Sequence, residues 1–243
     1  MQQPNHQDNL IKCIKIDRYY KWMYNKFSQY VGRRVIDIGA GIGNMMQFYI
    51  HNVDIAIGTD IFEGELNILQ QRFDLQISQK SQLKTMILDI EKDNVEHLKQ
   101  HNLDTAICVN VLEHIENDSM ALGKMKDIVV SGGKIILLVP AFSILYNHMD
   151  KAGGHYRRYD KGQLCLLAKA SNFKIIKNCY FNMFGILPYA IKGKFGKKRD
   201  EMFSDSLGET SSRLYNIMSC ILEPFEKVVK VPFGISELIV LEK

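Results

Sequence analysis

At 243 residues, with 46% apolar and 24% charged residues, the chain has the size and composition of one large α/β domain that buries a substantial core and carries a small insertion. A formal net charge of +4 is too small and too interspersed for a nucleic-acid-binding surface, although it favours anionic partners. The five cysteines (Cys13, Cys108, Cys165, Cys179 and Cys220) include no Cys-x-x-Cys pair and no histidine at metal spacing; they read as buried thiols, and no metal site is expected. The polar start lacks a signal-peptide core and no run reaches the roughly 18 apolar residues that span a bilayer, so the expectation is a cytoplasmic protein.

Taken in order, residues 1–30 read as an N-terminal helical cap, with Ile11, Ile14, Tyr19, Trp22, Met23, Lys26 and Phe27 near helical spacing. From residue 31 to 180 strand and helix signals alternate. Strands are predicted at Arg34–Ile38, Asp54–Asp60, Lys84–Asp89, Leu103–Asn110, Lys134–Val139, Lys174–Tyr180 and Ser236–Glu242. Helices are predicted at Asn44–His51, Glu63–Asp74, Asp118–Val130 and Asp160–Ser171, the last with Asp160 and Gln163 spaced as a capping box. Ser131-Gly132-Gly133 reads as the stop of the third helix. Strands alternating with helices of about 10–15 residues predict a seven-stranded, mainly parallel sheet with helices on both faces, and ligands then bind beyond the strands' carboxyl ends at the topological switch point. Residues 181–230 interrupt the alternation as a lid-like insertion, and 231–243 supply the last strand.

The chemistry gathers where those strands end. Val35-Ile36-Asp37-Ile38-Gly39-Ala40-Gly41-Ile42-Gly43-Asn44 is a buried strand running into a loop of three alternate glycines, which lets a ligand approach the main chain. A dinucleotide fingerprint starting at Gly39 would need glycine at Asn44, and here Gly43 comes one position early. Asp37 precedes the loop by two residues. Asp60 ends the next strand about twenty residues after Gly39, the spacing at which a carboxylate accepts both hydroxyls of a ribose. Asp89 ends the third strand and Asn110 the fourth.

With these motifs in place, residues 30–180 resemble the class I S-adenosylmethionine-dependent methyltransferases, which have a Rossmann-like fold. The resemblance implies S-adenosylmethionine as cofactor. Gly39, Gly41 and Gly43 would pass under its methionine part, Asp37 would serve its ammonium, Asp60 its ribose and Asp89 its adenine amino group. Ile61, Phe62 and Ile90 would sandwich the adenine. Asn110-Val111-Leu112-Glu113-His114-Ile115 is similar to the post-strand motif of small-molecule methyltransferases, and it departs from the Asn/Asp-Pro-Pro-Tyr pattern of amino-methylating nucleic-acid and protein enzymes. The implied substrate is a small-molecule methyl acceptor, not a nucleic acid.

Methyl transfer needs positioning first, and a general base only when the nucleophile must lose a proton. His114, just after the fourth strand, and His155 are the two candidate bases. His155 lies in Gly153-Gly154-His155-Tyr156-Arg157-Arg158-Tyr159, where Tyr156, Arg157 and Arg158 are candidate substrate contacts; the same cluster also reads as a loop pinned by Arg pairs to Asp150 and Asp160. A Gly-His-x-Arg-Arg-Tyr segment resembles one in methyltransferases of glycan and natural-product pathways, which implies acceptors of those kinds; a lipid-linked, anionic acceptor is suggested separately by the insertion. In the insertion, apolar residues 180–191 precede Lys192, Lys194, Lys197, Lys198 and Arg199, a pattern suited to peripheral membrane contact or to a lid with exposed lysines. The helical pattern at Ser211–Val229 reads as core packing or a homodimer face. Two other readings compete: an NAD(P)-dependent oxidoreductase, disfavoured by the lack of a Tyr-x-x-x-Lys pair, and a non-catalytic cofactor-binding partner protein.

Overall fold

The computed structural model describes residues 10–11, 13–74, 82–160, 162–195, 209–229 and 231–243. Helix α1 (Asp17–Asn25) leads to strand β1 (Arg34–Ile38). There follow β2 (Ile55–Asp60), α2 (Glu63–Phe73), β3 (Gln82–Ile87), β4 (Leu103–Val109), α3 (Asp118–Ile128) and β5 (Val129–Pro140). The second half comprises α4 (His148–Ala152), α5 (Gln163–Ala170), β6 (Lys174–Phe181), α6 (Ile186–Phe195), α7 (Glu209–Val228) and β7 (Ser236–Glu242).

The seven strands form one sheet in the order β3-β2-β1-β4-β5-β7-β6. The first five are parallel, and β7 runs antiparallel between β5 and β6. Because helices cover both faces, the central strands are apolar almost throughout, yet their side chains still alternate between two cores. Ile36, Ile38, Ile135, Leu137, Ile239 and Leu241 pack against α3 and α5, through residues such as Leu122, Met125 and Leu164. Val35, Ile136, Leu138, Leu238 and Val240 face the other way, onto Trp22, Leu69, Phe73 and Leu222 of α1, α2 and α7 and onto Phe27 just after α1. Trp22 is sealed there edge-on against Phe181, with ring centroids 4.6 Å apart. A buried aromatic of this size costs about 3–5 kcal/mol when cut to Ala, so α1 is part of the core rather than an appendage.

Three predicted elements differ. Residues 44–51 form two short 3₁₀ turns, Met46–Phe48 and Ile50–Asn52, in place of a helix. Met45, Met46, Tyr49 and Ile50 are buried while Gln47 and Phe48 are half-buried and His51 is exposed, a pattern that imitates a helical stripe although the chain turns twice here. Strand β3 ends at Ile87, so Asp89 lies in the loop beyond it. Ser131–Gly133 does not separate helix from strand: β5 already begins at Val129, and Lys243 bonds back to Gly132 and Gly133 at its outer end. At α5 the Asp160 N–H donates to Gln163 Oε1 at 2.7 Å, one half of the expected capping box, while the Asp160 carboxylate accepts from Ser143.

Candidate active site

Strand order reverses between β1 and β4, since β2 and β3 lie on one side of β1 and the later strands on the other. A cavity of about 540 Å³ opens at the carboxyl ends of these strands, a volume typical of a small-molecule site. Its wall includes Asp37, Gly39, Gly41, Asp60, Ile61, Asp89, Ile90, Asn110, His114 and Tyr156.

The loop after β1 is made for close approach. Gly39 and Gly43 have φ of +68° and +82°, a region that side-chain-bearing residues avoid. A Cβ on Gly39 would overlap Val111 and one on Gly43 would come within 2.6 Å of Phe73, so Gly43 serves packing behind the loop and does not line the cavity. Asp60 organises the loop from the next strand: its carboxylate accepts the Gly41 N–H at 2.9 Å and the Phe62 N–H at 3.1 Å. Ile61 is half-exposed at the mouth, whereas Ile90 is buried in the wall. Asp89 accepts from the Glu91 N–H at 3.0 Å and from Lys92 Nζ at 2.7 Å. Burial pushes its carboxyl up, but Lys92 and the loop N–H donors outweigh this and hold it below the ordinary range.

Asp37 is buried at the floor and accepts a hydrogen bond from Tyr49 Oη at 2.7 Å. Burial pushes its pKa up to about 7; the Tyr49 bond works against that shift and the charge on Asp60 adds to it. A buried carboxyl held near neutrality fits a cationic ligand, because an ammonium beside it would favour the charged form. Tyr49 was not foreseen, since it requires the 44–51 segment to leave helical geometry. Leu10 and Tyr20 of the N-terminal segment also line the cavity, a place the sequence assigned to the insertion. Among the described residues, none of 181–229 lines it.

The other end of the cavity is built by residues 141–159. Asn147 and Asp150 form a capping box at α4: Asn147 Oδ1 accepts the Met149 N–H at 2.9 Å, and Asp150 Oδ2 accepts the Asn147 N–H at 2.9 Å. Asp150 is fully buried and also receives Arg158 Nε at 2.8 Å, His155 Nδ1 at 3.0 Å and Tyr189 Oη at 2.9 Å. Burial alone would raise its pKa, but His155, Arg158 and the other donors more than offset this and hold it below the ordinary value. The returning strand of the loop is pinned to the turn after β4 by the Tyr156 N–H, which donates to the Glu113 carbonyl at 2.8 Å. That bond brings His155 edge-on to His114, with ring centroids 4.6 Å apart. Asn110 sits at this end with φ +54°, its N–H donating to the Leu138 carbonyl.

The paired arginines do not reach the cavity wall. Arg158 is buried, bonded to Asp150 and to the Ala141 carbonyl, with its guanidinium 4.3 Å from the Tyr189 ring centre. Arg157 turns outward to Asp118 at 2.9 Å and to the Glu116 carbonyl at 2.6 Å. Both pin the loop, with Asp118 in the place expected of Asp160. Tyr156 stays at the cavity mouth, half-exposed. Glu113 is a residue that sequence reasoning passed over. It is buried beside the two histidines, and burial raises its pKa to about 7, with His155 and Arg158 opposing. Of the expected basic cluster, Lys192 and Lys194 lie on α6, while Lys197, Lys198 and Arg199 fall outside the described residues.

A family model described as a methyltransferase domain matches residues 15–178. The chain belongs to that methyltransferase family. Solved structures agree on the fold. An S-adenosylmethionine-dependent methyltransferase from Archaeoglobus fulgidus aligns with a TM-score of 0.60 and 18% identity, over 93% of this chain and 94% of that one. Another from Mesorhizobium loti gives 0.60 and 12%, over 92% and 98%. Magnesium protoporphyrin IX methyltransferase from Synechocystis PCC 6803, with bound S-adenosylhomocysteine, gives 0.56 and 14%, over 100% and 88%. Identities this low establish architecture alone, and the same architecture also aligns with a [4+2]-cyclase at a TM-score of 0.57. No curated protein matches the sequence. By family and fold this methyltransferase is of class I, whose cofactor is S-adenosylmethionine. Among the described residues, no helix is long and apolar enough to cross a membrane.

Proposed function

We propose that this methyltransferase transfers a methyl group to an oxygen or nitrogen of a small molecule, and that the residues lining its cavity divide into a cofactor end and an acceptor end. The observation that carries the reading is Asp37: a buried carboxyl, raised to about 7, beside a loop of bare main chain at the switch point of the sheet. In this reading Asp37 holds the cofactor's ammonium, Gly39 and Gly41 admit its methionine part, and Asp60 takes the ribose hydroxyls. Asp89, Ile61 and Ile90 border the adenine, and Asn110 stands between the two ends. S-adenosylmethionine supplies an electrophilic methyl carried on a sulfonium.

At the acceptor end His114 and Tyr156 line the cavity, and His155 stands behind His114 with Nδ1 anchored on Asp150. That anchor fixes the imidazole behind His114, the orienting role a carboxylate plays for a catalytic base, and His114, which lines the cavity, is the base nearer an acceptor hydroxyl or amine. Arg157 and Arg158 are assigned to the loop's structure instead. A small acceptor agrees with the cavity's volume and with the low net charge, both poor matches to a nucleic acid. The natural-product, glycan and lipid-linked acceptors remain subdivisions of that class. We place the protein in the cytoplasm because its cysteines are free thiols.

Thermal melting with S-adenosylhomocysteine and, separately, NADH tests the reading. Ligand at a hundred times its Kd stabilises by about 2.7 kcal/mol. For a chain of this size that is a rise of roughly 5–10 °C. A shift with NADH and none with S-adenosylhomocysteine would overturn the assignment.

A further inference from the structure

Glu113, His114 and His155 are brought together at the acceptor end although they come from two separate loops. One ligand atom from each lies within 4.8 Å of the other two. Glu113 is only 1% exposed, and its Oε2 is buried without a hydrogen-bond partner. A carboxylate oxygen stranded in this way is costly unless something positive completes it. Asp150 holds Nδ1 of His155 at 3.0 Å, which leaves Nε2 as the ring's other donor position. The main chain also keeps this corner open: a Cβ on Gly153 would stand 3.4 Å from His155 Nε2, and one on Gly154 would stand 3.8 Å from His114 Nδ1.

We infer that Glu113, His114 and His155 bind one divalent cation of the Zn²⁺ or Mn²⁺ kind, whose remaining positions take an oxygen of the methyl acceptor. Two imidazoles and a carboxylate suit such borderline ions, and a site with three protein ligands keeps a position for substrate. Asp150 behind His155 is the outer carboxylate that fixes a ligating histidine's tautomer and ring orientation. With metal–ligand bonds of about 2.0–2.2 Å the three donors must close by a fraction of an ångström around the ion. His114 lines the cavity, so the ion would face the acceptor. A cation there lowers the pKa of a coordinated hydroxyl, whose proton leaves to solvent. The acceptor class is therefore narrowed to oxygen nucleophiles, best those with two neighbouring oxygens that chelate. Metal and proton compete for the same imidazole nitrogens, so the loaded site replaces the free base as the means of activating the acceptor. The Cys and His spacing in the sequence could not signal this site, because its donors are distant in the chain and none is a cysteine.

This inference rests on the methyl-transfer reading for its acceptor, but not for its ion. Isothermal titration of the tag-free, chelator-stripped full chain with Zn²⁺ or Mn²⁺ alone tests it, with the electron-spin signal of bound Mn²⁺ as a second readout. The expected result is one ion per chain, weakened at least about tenfold by Glu113→Gln and by His155→Asn. Melting in the absence of metal checks that each variant is folded, and His114→Gln carries the comparison if either is not. No saturable binding, or binding unchanged in the folded variants, overturns the site. S-adenosylhomocysteine is titrated in parallel: a chain that binds the ion but fails to bind S-adenosylhomocysteine would remove the methyl-transfer reading and leave the metal site standing.

Discussion

The end of the cavity proposed for the cofactor is assembled from neighbouring strand ends, each delivering its carboxylate within a few residues of a turn. The end proposed for the acceptor is assembled by residues 141–159 folding back over the turn after β4 and closing around one buried carboxylate. The first kind of construction distributes its carboxylates over separate strand ends, joined by single contacts such as the Gly41 N–H to Asp60. The second depends on one buried carboxylate, Asp150, which binds His155 and Arg158 of its own loop and Tyr189 of α6 at once. Damage to the first end should therefore appear as lost binding in a folded protein, and damage to the second as lost stability.

The largest expected effect tests the second half of that contrast. Asp150→Ala leaves Arg158 charged and buried without its partner, and breaking such a pair costs about 3–5 kcal/mol. Urea denaturation should show that loss; a cost under about 1 kcal/mol would mean the loop is held by other contacts. Next, Asp60→Ala should weaken S-adenosylhomocysteine binding about a hundredfold, the worth of two hydrogen bonds to a charged group, in a protein that still melts cooperatively. Unchanged affinity would remove Asp60 from the ribose.

A smaller, graded effect comes from pH. Asp37 has a folded pKa near 7 against an ordinary 3.8, so in the ligand-free protein its neutral form is the favoured one. Its contribution to stability is complete below about 3.8 and is lost as pH rises through 7. An ammonium ligand needs the carboxylate, so affinity should rise with pH and fall by up to about tenfold per unit below 7. Titration calorimetry between pH 5.5 and pH 8 reads this slope, and a flat profile would show that Asp37 does not meet the ammonium. The smallest effect belongs to Arg157→Ala, which removes a partly exposed pair with Asp118 worth about 1 kcal/mol or less. A large loss of turnover with stability intact would return Arg157 to the substrate.

The same contrast explains what could be read from sequence. Strands β1 and β7 were legible to the residue and most others to within two, because buried β-branched runs bounded by Gly, Asp or Pro have few alternatives, whereas β5 begins five residues before its expected start. The glycine loop, Asp37 and Asp60 were legible because they sit at fixed offsets from those strands, and all line or frame the cavity. The turns at 44–51 were not, since their buried residues fall at helical spacing and the bond that draws Tyr49 to Asp37 leaves no trace in that pattern. Arg158 could not be told from a substrate contact, because its buried partner Asp150 is set by α4. Glu113 was overlooked for the same reason: its isolation is a property of the packed loop, not of the motif around it.

The antiparallel strand has a consequence for how the protein is made. β7 sits between β5 and β6, so until residues 236–242 leave the ribosome both of those strands present open hydrogen-bonding edges. A nascent chain stalled before that point has two templates for mispairing, and β6 joins the sheet only once β7, its one partner strand, has been made.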